Sequence, residues 1–252
     1  MTKSAMRKIG LARALSKLGI CSRSQAAQQV RAGRVRLNGI VRRDPEWPVH
    51  LEKDRIELDG TAIQAAERVY LMLNKPRGLL TTARDEQGRE TVFSALGSNL
   101  PFVMPVGRLD KASEGLLLFT NDSEWAQKLL DPETHVNKTY HVQISGVADD
   151  ALLDRLRAGI RDRGEELRLH EVRMLRGGAK NTWLEIILDE GKNRHIRRML
   201  EACDHEVLRL VRVAIGPLPL GDLQKGTHRL LTRQEKAALD RKLAVQQPKL
   251  NR

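Results

Sequence analysis

Cysteine is nearly absent: Cys21 and Cys203 are the two in 252 residues. They lie far apart and have no second Cys or His at ligand spacing, which argues against a disulfide framework and a zinc site. The expected compartment is the reducing cytoplasm. Aromatic residues are scarce as well, at three Phe, three Trp and two Tyr, too few for a platform on which many single-stranded bases stack. No stretch approaches the ~18 consecutive apolar residues of a membrane span. The basic N-terminus is followed by no apolar run, so a signal peptide is not expected. P-loop, dinucleotide and HExxH motifs are missing too. The most telling absence is of negative charge. Residues 1–43 contain eleven Lys or Arg and no acid; the first is Asp44. The whole chain has 44 basic and 32 acidic side chains, a formal charge of +12. Residues 44–252 hold 33 against 32, so nearly all the excess belongs to one N-terminal segment.

A single-sign field this concentrated attracts a polyanion. The segment lacks the Trp/Phe/Leu face of an interfacial helix, so nucleic acid fits better than a membrane. Recognition through phosphates and helix shape is expected. The segment also has the apolar periodicity of a folded unit, which basic tails lack. Leu11, Ala14, Leu15 and Leu18 predict a helix over 8–18. Ser22 with Gln25 is a capping-box pattern opening a second, which Gly33 stops. Val35–Leu37 alternates and runs into Asn38-Gly39, a hairpin signal, and residues 54–59 alternate again before Gly60. The run "LSKLGICSRSQAAQQVRAGRVRLNG" (15–39) resembles the S4-like RNA-binding domain. That resemblance implies two helices presenting basic residues to structured RNA, with Arg23, Arg31, Arg34 and Arg36 facing phosphates.

Residues 61–68 are small and polar and read as a linker. Beyond them, strands are expected at 70–74, 102–106, 116–120, 138–145, 167–176, 182–189 and 207–213. Helices are expected near 91–96, from Ser123 to Leu130, and at 149–158, 193–203 and 232–243, the last with a Thr232/Glu235 capping box. Residues 244–252 read as a frayed basic tail. Strands and helices mix without strict βαβ alternation. The fold class is therefore α+β: a small helix–helix–β RNA-binding module (1–60), then a domain (69–243) with a mixed, largely antiparallel sheet.

Between two apolar strands, Gly107–Gly115 packs Arg108, Asp110, Lys111, Ser113 and Glu114 between two glycines. A loop held by rigid strands is a usual place for catalysis. From residue types alone, Asp110 is a nucleophile or a base oriented by Arg108, or one half of an ordinary surface ion pair. "VGRLDKASEGLLLFTND" (106–122) resembles the catalytic motif of pseudouridine synthases, and more narrowly of the ribosomal RNA group with an S4-like N-terminal domain. "LNKPRGLLTT" (73–82), "NKTYHVQISG" (137–146) and "EGKNRHIRRML" (190–200) resemble further motifs of that family, in the same order.

The resemblance implies isomerisation of a uridine within RNA: N1–C1′ breaks, the base turns, and C5 joins C1′. The change is redox-neutral and internal, so no cofactor or metal is implied. Asp110 maps onto the catalytic aspartate and Tyr140 onto the tyrosine that stacks on the flipped base. Arg197 maps onto the basic residue that pairs with the aspartate. Arg108 and Lys111 are expected to hold the loop or touch phosphate, and Lys192, Arg194 and Arg198 to contact the RNA backbone. One departure stands out: related sequences commonly have Gln two residues before Arg197, and here it is His195. Both can donate one hydrogen bond, so activity should survive. The expected partner is ribosomal RNA or a ribosomal subunit precursor, without membrane or small-molecule cofactor, bound by a cytoplasmic monomer. The opening "YLMLNKPRGLLTTARDEQGRETVF" favours large-subunit over small-subunit RNA. Two other functions fit the residues less well. A non-enzymatic assembly factor has no need of Asp110, Tyr140 and Arg197 together. A base hydrolase would release free uracil.

Overall fold

The computed structural model describes residues 8–83, 85–97 and 99–245. Lys3 and Arg7 of the basic segment, and residues 246–252 of the expected tail, lie outside the described residues. The chain forms two compact units. One comprises residues 1–70 with 99–104 and 120–126; the other comprises 71–98, 105–119 and 127–252.

The first unit runs β1 (Ile9–Gly10), α1 (Leu11–Lys17), α2 (Arg23–Arg31), β2 (Val35–Leu37), β3 (Ile40–Val41), β4 (Pro48–Val49), β5 (Ile56–Leu58) and β6 (Thr61–Ala62). Helix α1 starts later than the periodicity suggests, because Ile9–Gly10 pairs with Pro48–Val49 instead. Helix α2 opens on the expected capping box: Ser22 accepts from the Gln25 amide, and Gln25 accepts from Ser22 N–H. Asn38 (φ 53°) and Gly39 (φ 80°) make the tight turn between β2 and β3. Both central residues need positive φ there, which explains the Asn-Gly pair. Leu11, Leu15, Ala26, Val30, Val35 and Ile56 close a small core. Thr61–Ala62, expected in a linker, instead pairs with Glu57–Leu58 as an edge strand.

Residues 120–122 belong to this unit through a polar knot. Asn121 donates to the Glu67 carbonyl (2.7 Å) and accepts from the Val69 amide (2.9 Å). Arg68 donates to the Asn121 carbonyl (3.1 Å), and the Tyr70 hydroxyl donates to Asp122 (2.8 Å).

Further along the chain come β7 (Tyr70–Lys75), β8 (Met104–Pro105), β9 (Glu114–Thr120), α3 (Ser123–Leu130), β10 (Lys138–Ser145), α4 (Asp150–Ala158), β11 (Ile160–Asp162) and β12 (Glu165–Leu167). They are followed by β13 (Glu171–Gly177), β14 (Asn181–Leu188), α5 (His195–Glu201), β15 (Val207–Ile215), β16 (Leu218–Pro219), β17 (His228–Leu230) and α6 (Arg233–Val245). The strands order as β13-β14-β10-β15-β9-β7-β17, with β16 on β15 and β8 on β9. Strand β10 is antiparallel to both β14 and β15, whereas β9 runs parallel to β15. The sheet is thus mixed and mainly antiparallel, as expected.

One face of β10, β14 and β15 packs against α4 and α5 through Val142, Ile144, Leu184, Ile186, Leu152, Leu156, Ile196 and Leu200. The region near 91–96 is a single 3₁₀ turn, Val92–Ala95. Helix α3 is capped by Asp122, which accepts from the Trp125 amide (3.1 Å). The α6 capping box is as expected: Glu235 accepts from Thr232 N–H (2.8 Å) and Thr232 from Glu235 N–H (3.2 Å).

Candidate active site

The loop between β8 and β9 is built from behind by residues 75–81. The Lys75 ammonium is fully buried. It donates to three carbonyls: Pro76 (3.0 Å), Asp110 (3.2 Å) and Ser113 (2.9 Å). Gly78 N–H donates to Lys111 O (2.8 Å), and the Thr81 hydroxyl donates to Leu109 O (2.7 Å). A turn from Ser113 N–H to Asp110 O (3.0 Å) closes the loop. The segment resembling a family strand-and-turn thus clamps the aspartate loop, so two motifs distant in sequence are one structure. Burial brings the Lys75 ammonium down to about 8, against the opposing pull of Asp110 and Glu114.

Next along the chain, Glu114 is buried (1% exposed) and holds Arg209 through two bonds of 2.9 and 3.1 Å, with Lys225 as a further ion pair. Burial would raise its pKa, but these cations outweigh burial and lower it. Gly115 (φ 101°) lies opposite Arg212, where an added Cβ would stand 2.2 Å from the Arg212 carbonyl oxygen. Only glycine permits both that backbone angle and that approach.

Asp110 and Tyr140 line one cavity of about 320 Å³, with Arg108, Lys138, Lys192, Arg194, His195, Arg197 and Arg212 also on its walls. Seven of these nine side chains are Lys, Arg or His, and among the described residues Asp110 is the one carboxylate in the lining. Tyr140 is half-buried, packed on the apolar core behind it, and lies directly across from Arg212 in β15. Arg197 is buried (8% exposed). It donates to the carbonyls of Val207 (3.2 Å) and Ala112 (3.4 Å), and its Nε has no hydrogen-bond partner. The expected direct pairing of Arg197 with Asp110 is not formed. The guanidinium is spent on two carbonyls and meets Asp110 only as a nearby charge, which offsets part of the lowering caused by burial and Arg194.

Of the residues expected at the RNA backbone, Arg108 and Arg194 are exposed on the cavity wall, and Lys192 lines it half-buried. Lys111 is exposed but does not line the cavity. Arg198 is a correction. It is buried, with Nε on Asp162 (2.5 Å) and Nη1 on Glu165 (2.6 Å), so it ties α5 to β11 and β12 rather than facing solvent. In the first unit Arg23, Arg31, Arg34 and Arg36 are all exposed, though Arg34 is engaged by Asp59. His195 is buried, and its lowered pKa comes mainly from burial. The Arg168 carbonyl lies toward its ring, yet neither ring nitrogen has a partner in hydrogen-bonding geometry.

Lys75, Lys138 and Arg212 join the site without belonging to the expected set. Their signals were present: Lys75 ends an apolar strand, Lys138 precedes Tyr140 by the strand period of two, and Arg212 interrupts the apolar run 207–215. Among the described residues, no cluster of three or more His, Cys, Asp or Glu side chains is placed to hold a metal ion.

Comparison with known proteins defines the class to which this chain belongs. Residues 69–202 match the RNA pseudouridylate synthase family, and residues 9–56 match the S4 domain. The chain belongs to that family and is an RNA pseudouridine synthase carrying an S4 domain. An uncharacterized RNA pseudouridine synthase of Aquifex aeolicus (strain VF5) is 37% identical over 93% of this chain and 94% of its own. The ribosomal large subunit pseudouridine synthase B of Bacillus subtilis (strain 168) is 35% identical over 89% and 93%. A crystal structure of a pseudouridylate synthase superposes with a TM-score of 0.65 at 28% identity, covering 92% of this chain and 99% of that one.

Proposed function

We propose that this enzyme isomerises one uridine of large-subunit ribosomal RNA, with the Asp110 carboxylate as its reactive group. The observation that carries the reading is that Asp110 and Tyr140 share the walls of one cationic cavity. A flipped base stacks on the Tyr140 ring, which offsets part of the few kcal/mol lost on unstacking. Asp110 then acts as an ionised carboxylate. It attacks the sugar at C1′ or removes a ribose proton. In either case N1–C1′ breaks, the base turns in place, C5 joins C1′, and the C5 proton is lost as N1 regains one. The buried Arg197 keeps a positive field behind the carboxylate through these steps, without a direct ion pair.

Residues 1–62 grip structured RNA through Arg23, Arg31, Arg34 and Arg36, residues 63–68 connect, and residues 69–243 perform the chemistry. Arg108, Lys111, Lys192 and Arg194 meet backbone phosphates around the cavity mouth. The large-subunit target is supported by the Bacillus subtilis relative, a ribosomal large subunit pseudouridine synthase B, and by the opening of the catalytic domain. The substrate is the RNA itself or a subunit precursor, met in the cytoplasm by a monomer.

The test is to incubate the protein with unmodified large- and small-subunit RNA and map pseudouridine by carbodiimide labelling and primer-extension stops. One new stop on the large RNA is expected, absent with Asp110→Asn. A stop on the small RNA alone would move the address. An undiminished stop with Asp110→Asn would remove that carboxylate from the mechanism.

A further inference from the structure

Three side chains at the floor of the cavity share one sheet face. Lys138 and Tyr140 are two apart on β10, so both point to the same side. Arg212 on β15 is the direct cross-strand partner of Tyr140. Opposed residues have Cβ atoms about 4.5–5.5 Å apart. All three line the cavity that holds Asp110.

Arg212 is 5% exposed; its Nε donates to Leu116 O (2.7 Å), and its Nη2 has no partner. Lys138 donates to the Asp189 main-chain carbonyl (3.3 Å). Among the described residues, no carboxylate lies within ion-pair distance of either cation. The carboxylate of Asp189, whose charge partly favours the Lys138 ammonium, faces His135 at 3.8 Å. Burial and the charge of Arg212 both lower the Lys138 pKa. A buried cation (Arg212) beside a half-buried one (Lys138), without a counter-charge, is costly unless an anion completes the pair. A guanidinium fork beside an ammonium suits phosphate.

We propose that Lys138 and Arg212 form an anion site for the backbone phosphate of the nucleotide whose base lies on Tyr140. This rests on the stacking role given to Tyr140 above. The site fixes the ribose between a held base and a held phosphate, and so presents its C1′ to Asp110. Arg108, Lys192, Arg194 and Arg197 add to the positive field without sharing that sheet face.

The test uses the full chain with ¹³C-labelled lysine. The Lys138 resonance is identified by its loss in Lys138→Met, and its titration is followed with and without inorganic phosphate. Phosphate is expected to raise the Lys138 pKa by about one unit or more. Arg212→Gln is expected to raise it in phosphate-free buffer, by removing a like charge, and to weaken phosphate binding about tenfold. In turnover, Arg212→Gln should raise KM for RNA more than it lowers kcat, with partial rescue by Arg212→Lys. A Lys138 resonance indifferent to phosphate overturns the proposal, as does an unchanged KM in a folded Arg212→Gln. If that variant does not fold, the wild-type titration still decides. The titration needs no turnover, so it stands or falls apart from the isomerase reading.

Discussion

Gly115→Ala tests the approach of two strands that sets the cavity floor. The new Cβ would stand 2.2 Å from Arg212 O, 2.8 Å from Arg212 N and 3.0 Å from Arg212 C, all backbone atoms that cannot rotate away. Ordinary contact begins near 3.4 Å, so β9 and β15 must part by about 1 Å. Overpacking of that kind costs roughly 1–3 kcal/mol. Holding alanine at φ 101° adds roughly 1–3 kcal/mol. The expected loss is therefore about 2–6 kcal/mol, a fall in Tm of roughly 4–24 °C for a chain of this size. Gly78→Ala is the control: its φ is 97°, and an added Cβ meets nothing within 4 Å. It carries the backbone cost alone. Urea and thermal unfolding of both variants separate the two costs. Equal stabilities would refute the claim that close approach to Arg212, rather than backbone angle, requires glycine at 115.

Lys75→Met removes the clamp beneath Asp110. The folded ammonium titrates at about 8 rather than 10.5. Below pH 8 it is protonated in both states, and its burial carries the full cost. Between pH 8 and 10.5 the folded chain releases a proton that the unfolded chain keeps. Wild-type stability relative to Lys75→Met should therefore rise across that window by up to about 3 kcal/mol, and a difference flat with pH would contradict it. Replacing Arg23, Arg31 and Arg36 together with Gln should lower the slope of log affinity against log salt by about 2–3; an unchanged slope would place the RNA grip elsewhere. Tyr140→Phe should keep RNA turnover near wild type. Tyr140→Ala should lose about 1–3 kcal/mol of base stacking, read as a rise in KM, and equal KM values would dismiss the stacking role.

Local patterns carried much of the fold. Ser22/Gln25, Asn38-Gly39 and Thr232/Glu235 each act within four residues, so their outcome does not depend on the rest of the chain. Errors fell where a distant partner decides. Ile9–Gly10 leaves the helix because Pro48–Val49 offers a ladder, and Thr61–Ala62 leaves the linker because β5 has a free edge. The same division holds in the site. Asp110 stands out in the sequence because its loop is bounded by glycines and apolar strands. Arg198 was misread as RNA-facing because nothing local shows that Asp162 and Glu165, more than thirty residues away, turn it inward. Arg197 was read as an ion pair because sequence order does not show the Val207 and Ala112 carbonyls that hold it off.

The Lys75 clamp also bears on the order of events during folding. The Asp110 loop takes its shape from bonds spanning 28 to 38 residues, Arg197 reaches Ala112 across 85, and Arg212 reaches Leu116 across 96. Contacts of such range form only after the loop entropy between them has been overcome. The Asp110 loop therefore has no native geometry in a partly made chain. It acquires one when β15, late in the sequence, takes its place at the centre of the sheet.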